Sequence, residues 1–196
     1  MLKALDLFSG PGGMTLGFKR AGILPVACVE KRKDAVDTFA RHTSEAEHFC
    51  EDIRKLDFGK YAGTIDVLYG GPPCQPFSTG GLRRAADDTR NMFPQFVRAV
   101  SQSRPDAFVA ENVVGLTTRS RIGYLTDLLR ELSALGFKVS WRVLNAADYG
   151  IPQKRRRLFI VGMRQKTFWF PKPTHGPGTP KKHKASGELI GHEPIG

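Results

Sequence analysis

Apolar and polar residues follow two different periods along this chain. Short, nearly continuous apolar runs, which are typical of buried strands, are separated by segments in which apolar residues recur every three or four positions, as in amphipathic helices. This alternation predicts an α/β fold with a mostly parallel, doubly wound sheet. The predicted strands are residues 2–8, 25–29, 65–69, 106–110, 137–145 and 158–162, and the predicted helices are residues 14–21, 34–42, 91–101 and 122–135.

Length and charge narrow the class of protein. A chain of 196 residues suits one α/β domain, or one domain and a fragment of a second. It carries 30 Lys and Arg against 19 Asp and Glu, and the net charge of +11 favours a polyanionic partner such as DNA or RNA. Proline, glycine and lysine become frequent after residue 163, so we predict a domain over residues 1–163 and a linker over residues 164–196.

The cysteine and histidine residues argue against a metal site or a disulfide framework. Cys28, Cys50 and Cys74 are widely spaced with no CxxC pair, and the five histidines show no metal-ligand spacing. We therefore expect no metal, and a reducing compartment. The sequence shows no secretory signal and no apolar run long enough to cross a membrane, which predicts a cytoplasmic location without a membrane partner.

A glycine-rich turn, Ser9-Gly10-Pro11-Gly12-Gly13, joins the first predicted strand to the first helix. This arrangement lets backbone amides approach a ligand at the mouth of a parallel sheet. Thr15 stands where a dinucleotide motif has its last glycine, which favours a nucleoside without a pyrophosphate. Glu30, at the end of the second strand, is placed to accept hydrogen bonds from ribose hydroxyls, and an exposed strand-end carboxylate is the alternative. Asp52 could reach the purine end of the same ligand.

The third predicted strand ends in the segment Gly70-Gly71-Pro72-Pro73-Cys74-Gln75-Pro76-Phe77-Ser78. The glycines allow a sharp turn and the prolines stiffen it, so one thiol is aimed out of a rigid loop. Cysteine is the most nucleophilic side chain near neutral pH when its thiolate is favoured. A buried packing cysteine is the alternative, but cores seldom present cysteine between prolines in a glycine-hinged loop.

Charged residues follow two later strands. Glu111 comes at the tip of the strand predicted at residues 106–110, on the sheet edge where ligands bind in doubly wound folds. In the basic run at residues 153–157, Arg155 and Arg157 share one face of an extended segment and could converge on one pocket, although a solvated basic face is the alternative. Arg83 and Arg84 lie in a glycine-rich loop and offer phosphate contacts or a solvated surface.

With these motifs in order, the chain resembles the DNA cytosine-5 methyltransferases of prokaryotic restriction–modification systems. The resemblance covers about residues 2–163. It rests on six blocks in matching order and spacing, at residues 6–13, 30, 52–53, 71–75, 111–113 and 153–157. A lead-in at residues 147–152 strengthens the last block.

The resemblance implies a Rossmann-like methyltransferase fold that uses S-adenosylmethionine, releases S-adenosylhomocysteine and modifies double-stranded DNA. The implied catalytic residues are Cys74, Glu111, Asn112, Arg155 and Arg157. The implied cofactor-binding residues are Phe8, Gly10, Pro11, Gly12, Gly13, Glu30, Lys31, Asp52, Ile53, Gly71 and Pro73. The implied DNA-binding residues are Gln75, Ser78, Arg83, Arg84 and Arg90.

The resemblance also implies a mechanism. In the family, the thiolate matching Cys74 adds to carbon-6 of a cytosine flipped out of the duplex, and the carboxyl matching Glu111 holds and protonates ring nitrogen 3. The arginine matching Arg157 helps hold the base, and Asn112 matches a residue that supports the cysteine loop. Lys31 departs from the pattern, because many members carry a bulky apolar or aromatic residue there.

The family continues with a target-recognition region and a closing helix, and nothing after Gly162 resembles either. The chain therefore resembles a catalytic region whose remainder comes from a second polypeptide, or one that has been shortened. Three other functions stay open at this point. They are a tRNA cytosine-5 methyltransferase, a non-catalytic paralogue that binds DNA or a partner, and a cysteine protease, for which no histidine is placed by motif to activate Cys74.

Overall fold

The computed structural model describes residues 1–74 and 90–176. In these ranges the strands are β1 (Leu2–Leu7), β2 (Ile23–Glu30), β3 (Glu47–Cys50), β4 (Val67–Gly70), β5 (Ala107–Val113), β6 (Lys138–Asn145) and β7 (Arg156–Met163). The α-helices are α1 (Gly13–Arg20), α2 (Lys33–Ala40), α3 (Phe93–Ser103) and α4 (Ile122–Ala134). Short 3₁₀ turns lie at Ile53–Lys55, Gly59–Tyr61, Val114–Thr117 and Ala146–Tyr149. The described strands form a mixed seven-stranded sheet, which confirms the predicted α/β fold.

The chain divides into two compact units, residues 1–110 and 111–196. In the first unit the strands run parallel in the order β3-β2-β1-β4-β5, with residues 107–110 of β5 pairing against β4. Parallel strands bring their carboxyl ends to one edge of the sheet. The segments that follow β1, β2 and β4 therefore lie along the same edge, as the sequence pattern predicted.

The central strands of the first unit are apolar because both faces of the sheet are covered. Leu5, Leu7, Leu68 and Tyr69 have no exposed surface. Central strands of parallel sheets read as continuous apolar runs for this reason, rather than alternating with polar residues. The strand β3 differs, since its sequence Glu-His-Phe-Cys is polar and largely accessible at the edge of the sheet, and the apolar pattern did not predict it.

The second unit contains an antiparallel pair and a helix. The strands β6 and β7 pair from Lys138 opposite Met163 to Asn145 opposite Arg156. The helix α4 packs against β6 through leucines at i, i+3, i+4 and i+7 spacing, and it ends before Gly136, whose φ of +87° suits only glycine well. The buried leucines are Leu125, Leu128, Leu129 and Leu132.

Residues 164–176 contain no helix or strand but are held by the second unit. The Tyr149 hydroxyl donates to the Pro171 carbonyl at 3.0 Å, and the guanidinium of Arg142 lies 5.4 Å from the ring centre of Phe170. The backbone amides of Thr174 and His175 both donate to the Asp148 carbonyl at 2.9 Å. The boundary at residue 163 stays a prediction.

Candidate active site

The glycine-rich turn after β1 is the first element of the site. Phe8 and Gly10 adopt left-handed backbone conformations, with φ of +57° and +54°, and Gly12 follows at +94°. A side chain at Gly12 would clash with Phe39, because its Cβ would lie 2.0 Å from the Cδ2 atom of that ring. Glycine is therefore required at this position for both conformation and space. A strained non-glycine residue such as Phe8 is often found at a functional site.

Glu30 is fixed at the end of β2 by two backbone amides. The Gly10 amide donates to Oε2 at 3.0 Å and the Arg32 amide donates to Oε1 at 2.9 Å. Each carboxylate oxygen can accept more than one hydrogen bond, so a held Glu30 keeps acceptor capacity for hydroxyl groups. The contact with Gly10 also ties the glycine turn to the strand that carries the carboxylate.

Asp52 lies in a short ion-pair cluster at the same edge. Its side chain caps the 3₁₀ turn by accepting from the Arg54 amide at 3.1 Å, and it accepts from the Arg54 guanidinium at 2.9 and 2.6 Å. The Lys31 ammonium lies 3.4 Å away. These hydrogen bonds, chiefly those from Arg54, hold the pKa of Asp52 well below its usual range. The purine ring of a bound nucleoside would therefore have to share the Asp52 carboxylate with Arg54.

Arg98 positions the turn that carries Asp52 and Ile53. From α3 it donates to the Ile53 carbonyl at 2.7 Å and to the Leu56 carbonyl at 2.9 Å. Ile53 itself is buried. The sequence pattern did not single out Arg98, because its partners lie more than forty residues away along the chain.

A buried polar cluster lies beneath the glycine turn. Asp6 is only 1% exposed and accepts a hydrogen bond from the Thr15 hydroxyl, which is also 3.0 Å from the Tyr69 hydroxyl. Burial, with a smaller contribution from the negative charge of Glu30, raises the pKa of Asp6 to about 8, against a hydrogen bond from Thr15 that lowers it. The cluster joins β1, α1 and β4 below the turn, and Asp6 Oδ1 has no hydrogen-bond partner among the described residues.

Cys74 lies four residues after the end of β4, and the connecting segment contains Gly71 and Pro73. Close packing fixes the start of this segment, since a Cβ at Gly70 would lie 2.1 Å from the Leu7 carbonyl oxygen. The Met92 amide donates to the Pro73 carbonyl at 2.9 Å, and Cys74 forms an antiparallel bridge with Asn91. Residues 91 and 92 thus hold the loop at Pro73 and at the thiol-bearing residue itself.

The three cysteines occupy different environments. Cys74 is half-buried, Cys50 is exposed and Cys28 is buried. Burial raises the pKa of the Cys28 thiol, which makes this cysteine an unreactive packing residue. Cys28 and Cys50 both lie in or beside apolar segments, which predicts packing roles for the two. The prediction agrees with the buried Cys28 and is wrong for the exposed Cys50.

Glu111 and two arginines form a cluster in the second unit. Arg157 Nε lies 2.9 Å from Glu111 Oε1, and Arg155 Nη2 lies 4.0 Å from the same oxygen. Glu111 lies inside β5 rather than after it, because the strand continues to Val113. Asn112 is 6% exposed, and its Oδ1 accepts from the Val113 amide at 2.8 Å. The side chains of Arg155 and Arg157 converge on one carboxylate, as their shared face predicted.

The structure thus gathers the predicted residues in two sets. The first unit holds the cofactor set and the thiol, namely Phe8, Gly10, Pro11, Gly12, Gly13, Glu30, Lys31, Asp52, Ile53, Gly71, Pro73 and Cys74. The second unit holds Glu111, Asn112, Arg155 and Arg157. Of the predicted DNA-binding residues, Arg90 is exposed, and Gln75, Ser78, Arg83 and Arg84 lie outside the described residues.

The described ranges hold neither a metal-binding cluster nor a membrane-spanning helix. Residues 1–74 and 90–176 contain no group of three His, Cys, Asp or Glu side chains arranged to hold a metal ion. Over the same residues, no helix combines the length and apolar character needed to cross a membrane.

Comparison with known proteins relates this geometry to a family. Residues 2–192 match the model of the C-5 cytosine-specific DNA methylases. The chain is 39% identical to the Type II methyltransferase M.AplI of Arthrospira platensis over 86% of its own length and 47% of that protein. It is 40% identical to the Type II methyltransferase M.AquIA of Picosynechococcus sp. over 89% of its own length and 77% of that protein.

A similar structure is the crystal structure of a prophage-encoded DNA modification methyltransferase from E. coli. Its TM-score is 0.72 at 34% identity, and the match covers 83% of this chain and 47% of that one. The chain spans about half the length of M.AplI and of the prophage enzyme.

Proposed function

The chain belongs to the C-5 cytosine-specific DNA methylase family, and from this we propose that it is the catalytic region of a DNA cytosine-5 methyltransferase. In this proposal it transfers a methyl group from S-adenosylmethionine to carbon-5 of cytosine in double-stranded DNA. The observation that carries the proposal is the family match over residues 2–192 in a chain that retains both a loop-borne thiol, Cys74, and a carboxylate, Glu111. We expect it to act on DNA in the cytoplasm of a prokaryote.

The residues of the first unit fit S-adenosylmethionine. The carboxylate of Glu30, held by the Gly10 and Arg32 amides, would accept from the two ribose hydroxyls. The backbone of the turn at residues 10–13 would approach the bound molecule, because Gly10 and Gly13 carry no side chain and face open space. When bound, S-adenosylmethionine supplies an electrophilic methyl group on a sulfonium sulfur.

Cys74 would supply the covalent step. Carbon-5 of cytosine is a weak nucleophile, so the Cys74 thiolate adds to carbon-6, and the electron pair of the 5,6 double bond becomes available at carbon-5. Carbon-5 would take the methyl group as the methyl–sulfur bond of S-adenosylmethionine breaks, which leaves S-adenosylhomocysteine. The proton on carbon-5 is then lost to a base, the double bond reforms, and the thiolate is expelled from carbon-6. The target cytosine must leave the helix stack to reach the thiol, at a cost of a few kcal/mol.

Glu111 and the arginines would hold the base during this addition. The Glu111 carboxyl would hydrogen-bond and protonate ring nitrogen 3, which draws electrons toward that nitrogen and away from carbon-6 as the thiolate attacks. Arg157, which already contacts Glu111 at 2.9 Å, would keep the carboxyl oriented and stabilise charge developing on the base.

Sequence recognition would come from outside the described residues. The chain spans 47% of M.AplI, and no block after residue 163 resembles a target-recognition region. We therefore propose that a second polypeptide, or a continuation of this chain, reads the DNA sequence. In a footprinting assay the 196-residue chain alone should protect DNA without sequence preference, with affinity that falls steeply with salt. A footprint confined to one sequence would show that this chain carries the reading element.

The covalent step is tested by trapping. A fluorine at carbon-5 cannot leave as the proton does, so duplex DNA containing 5-fluorocytosine should stay bonded to Cys74 after methyl transfer. With S-adenosylmethionine present, the wild-type chain should give a denaturation-resistant protein–DNA band, and Cys74→Ser should give none.

Cys50→Ser is the matched control, since it removes the exposed thiol and should keep the band. A band of equal intensity from Cys74→Ser would rule out the proposed nucleophile. Trapping on fluorinated tRNA but not on duplex DNA would instead identify an RNA-modifying enzyme.

A further inference from the structure

The loop that carries Arg155 is closed by a buried side chain rather than by the main chain alone. At the end of the β6–β7 pair, the Ala146 amide donates to the Arg155 carbonyl at 3.0 Å. The reciprocal hydrogen bond comes from the Arg155 amide to Asn145 Oδ1 at 3.1 Å. The Asn145 side chain therefore takes the place of a backbone carbonyl and fixes where the basic run enters β7.

Asn145 is oriented in turn by a buried carboxylate. Asn145 Nδ2 donates to Asp148 Oδ1 at 3.2 Å, and the two residues are 6% and 5% exposed. This contact fixes which end of the Asn145 amide faces Arg155, because a carboxylate accepts hydrogen bonds and repels the amide oxygen. A buried amide–carboxylate pair of this kind specifies one arrangement strongly.

The same pair is anchored to Thr174 and His175. The Asp148 carbonyl accepts from the Thr174 and His175 amides, both at 2.9 Å. The ring of His175 lies against Gly150, where a Cβ would come within 2.9 Å of its Cε1 atom. The loop that ends at Arg155 is thus held at both its start and its middle.

We propose that Asn145 and Asp148 are positioning residues that set Arg155 and Arg157 against Glu111. Neither side chain belongs to the residues assigned to the reaction, and both act through the Arg155 amide. From that amide the chain is extended through Arg156 to Arg157. A displaced loop would therefore move Arg157 Nε away from Glu111 Oε1, which now lies 2.9 Å from it. The role in turnover rests on the proposed methyl transfer, whereas the positioning itself does not.

A swap of the two polar groups tests the proposal. Asn145→Asp puts a second carboxylate beside Asp148 in a buried site, so the two repel and the loop opens. Asp148→Asn keeps an acceptor for the Asn145 amide. In the double variant Asn145→Asp/Asp148→Asn, the new aspartate accepts from both the new asparagine and the Arg155 amide, which restores the network with its direction reversed. The design is a double-mutant cycle, in which rescue identifies a direct interaction.

The readout is NMR on the full 196-residue chain, and it does not depend on activity. In the wild type, the Arg155 amide and the Arg157 Nε–H group should be protected from solvent exchange. In Asn145→Asp both should exchange about tenfold faster or more, as expected when a buried hydrogen bond is lost. The double variant should return them to within about threefold of wild type. Lys154→Ala, an exposed change in the same loop, should alter neither.

Two results would overturn the proposal. One is unchanged exchange at both groups in Asn145→Asp. The other is a double variant that folds no better than Asn145→Asp or shows no recovery of protection. If Asn145→Asp does not fold, a double variant that folds with both groups protected still supports the proposal.

Measuring methyl transfer alongside amide exchange distinguishes a failure of this proposal from a failure of the proposed function. Where the wild type methylates DNA, Asn145→Asp should lower kcat and leave the KM for S-adenosylmethionine unchanged, because Glu30 and the glycine turn lie in the other unit. If Asn145→Asp speeds exchange at both groups but the wild-type chain transfers no methyl group to DNA, the proposed function is refuted and the positioning stands. A kcat that stays at the wild-type value while protection is lost would refute the role of this positioning in turnover and leave the proposed function standing.

Discussion

Asp6 offers the sharpest test of the energetics beneath the glycine turn. Its carboxyl is 1% exposed and accepts from the Thr15 hydroxyl, and its folded-state pKa is raised to about 8, mainly by burial. The protonated form therefore predominates in the folded protein at neutral pH. Asparagine has the shape of a protonated aspartate, so Asp6→Asn should keep the Thr15 hydrogen bond while removing the titration.

The sign of the pH effect follows from linkage. Below about pH 4 the carboxyl is protonated in both folded and unfolded chains, and it does not make stability depend on pH. Above that pH the unfolded carboxyl ionises while the folded one keeps its proton, so each pH unit lowers the free energy of unfolding by about 1.4 kcal/mol. The loss continues until the folded carboxyl ionises near pH 8. Between pH 5 and 7 the wild type should lose about 2–3 kcal/mol relative to Asp6→Asn.

Urea unfolding of both chains at pH 5, 6 and 7 measures this difference. Every other titrating group is common to the two proteins, so the difference between their free energies isolates Asp6. We expect the advantage of Asp6→Asn to grow steadily with pH. Parallel curves for the two chains would refute the reasoning, because they would mean that Asp6 titrates alike in the folded and unfolded states.

Two further predictions concern the glycine turn and its neighbour. Glu30→Ala should weaken S-adenosylmethionine binding by about 1–3 kcal/mol through lost ribose hydrogen bonds. Calorimetry measures this, with Asp37→Ala on the exposed side of α2 as the control, and equal affinities would remove Glu30 from the binding site. Gly12→Ala should lower the free energy of unfolding by roughly 2–4 kcal/mol, because its Cβ would lie 2.0 Å from Phe39 at a φ of +94°. Gly17→Ala, at an uncrowded position in α1, should be neutral or stabilising, and a similar loss in both variants would contradict the steric argument.

Much of the site could be predicted from the sequence because its signals are local. A glycine or a carboxylate at the end of a strand can be recognised from the apolar run that directly precedes it. Parallel strands then bring such ends to one edge of the sheet whatever the detailed packing. The strands that precede the glycine turn, Glu30 and Cys74 were therefore predicted near their observed positions, and Arg155 and Arg157 do approach one carboxylate. The roles of these residues stay predictions.

Other features depended on residues that are distant in the sequence. The Asp6–Tyr69 cluster, the reach of Arg98 to Ile53 and the anchoring of Asp148 by Thr174 all join separate elements. Polar side chains of this kind show no period, and their partners are chosen by the geometry of packing. The short strand β3 went unpredicted because an edge position allows a polar sequence. The sequence by itself determined the order of the elements and the chemical groups at their ends, and the tertiary structure decided which buried groups hold them in place.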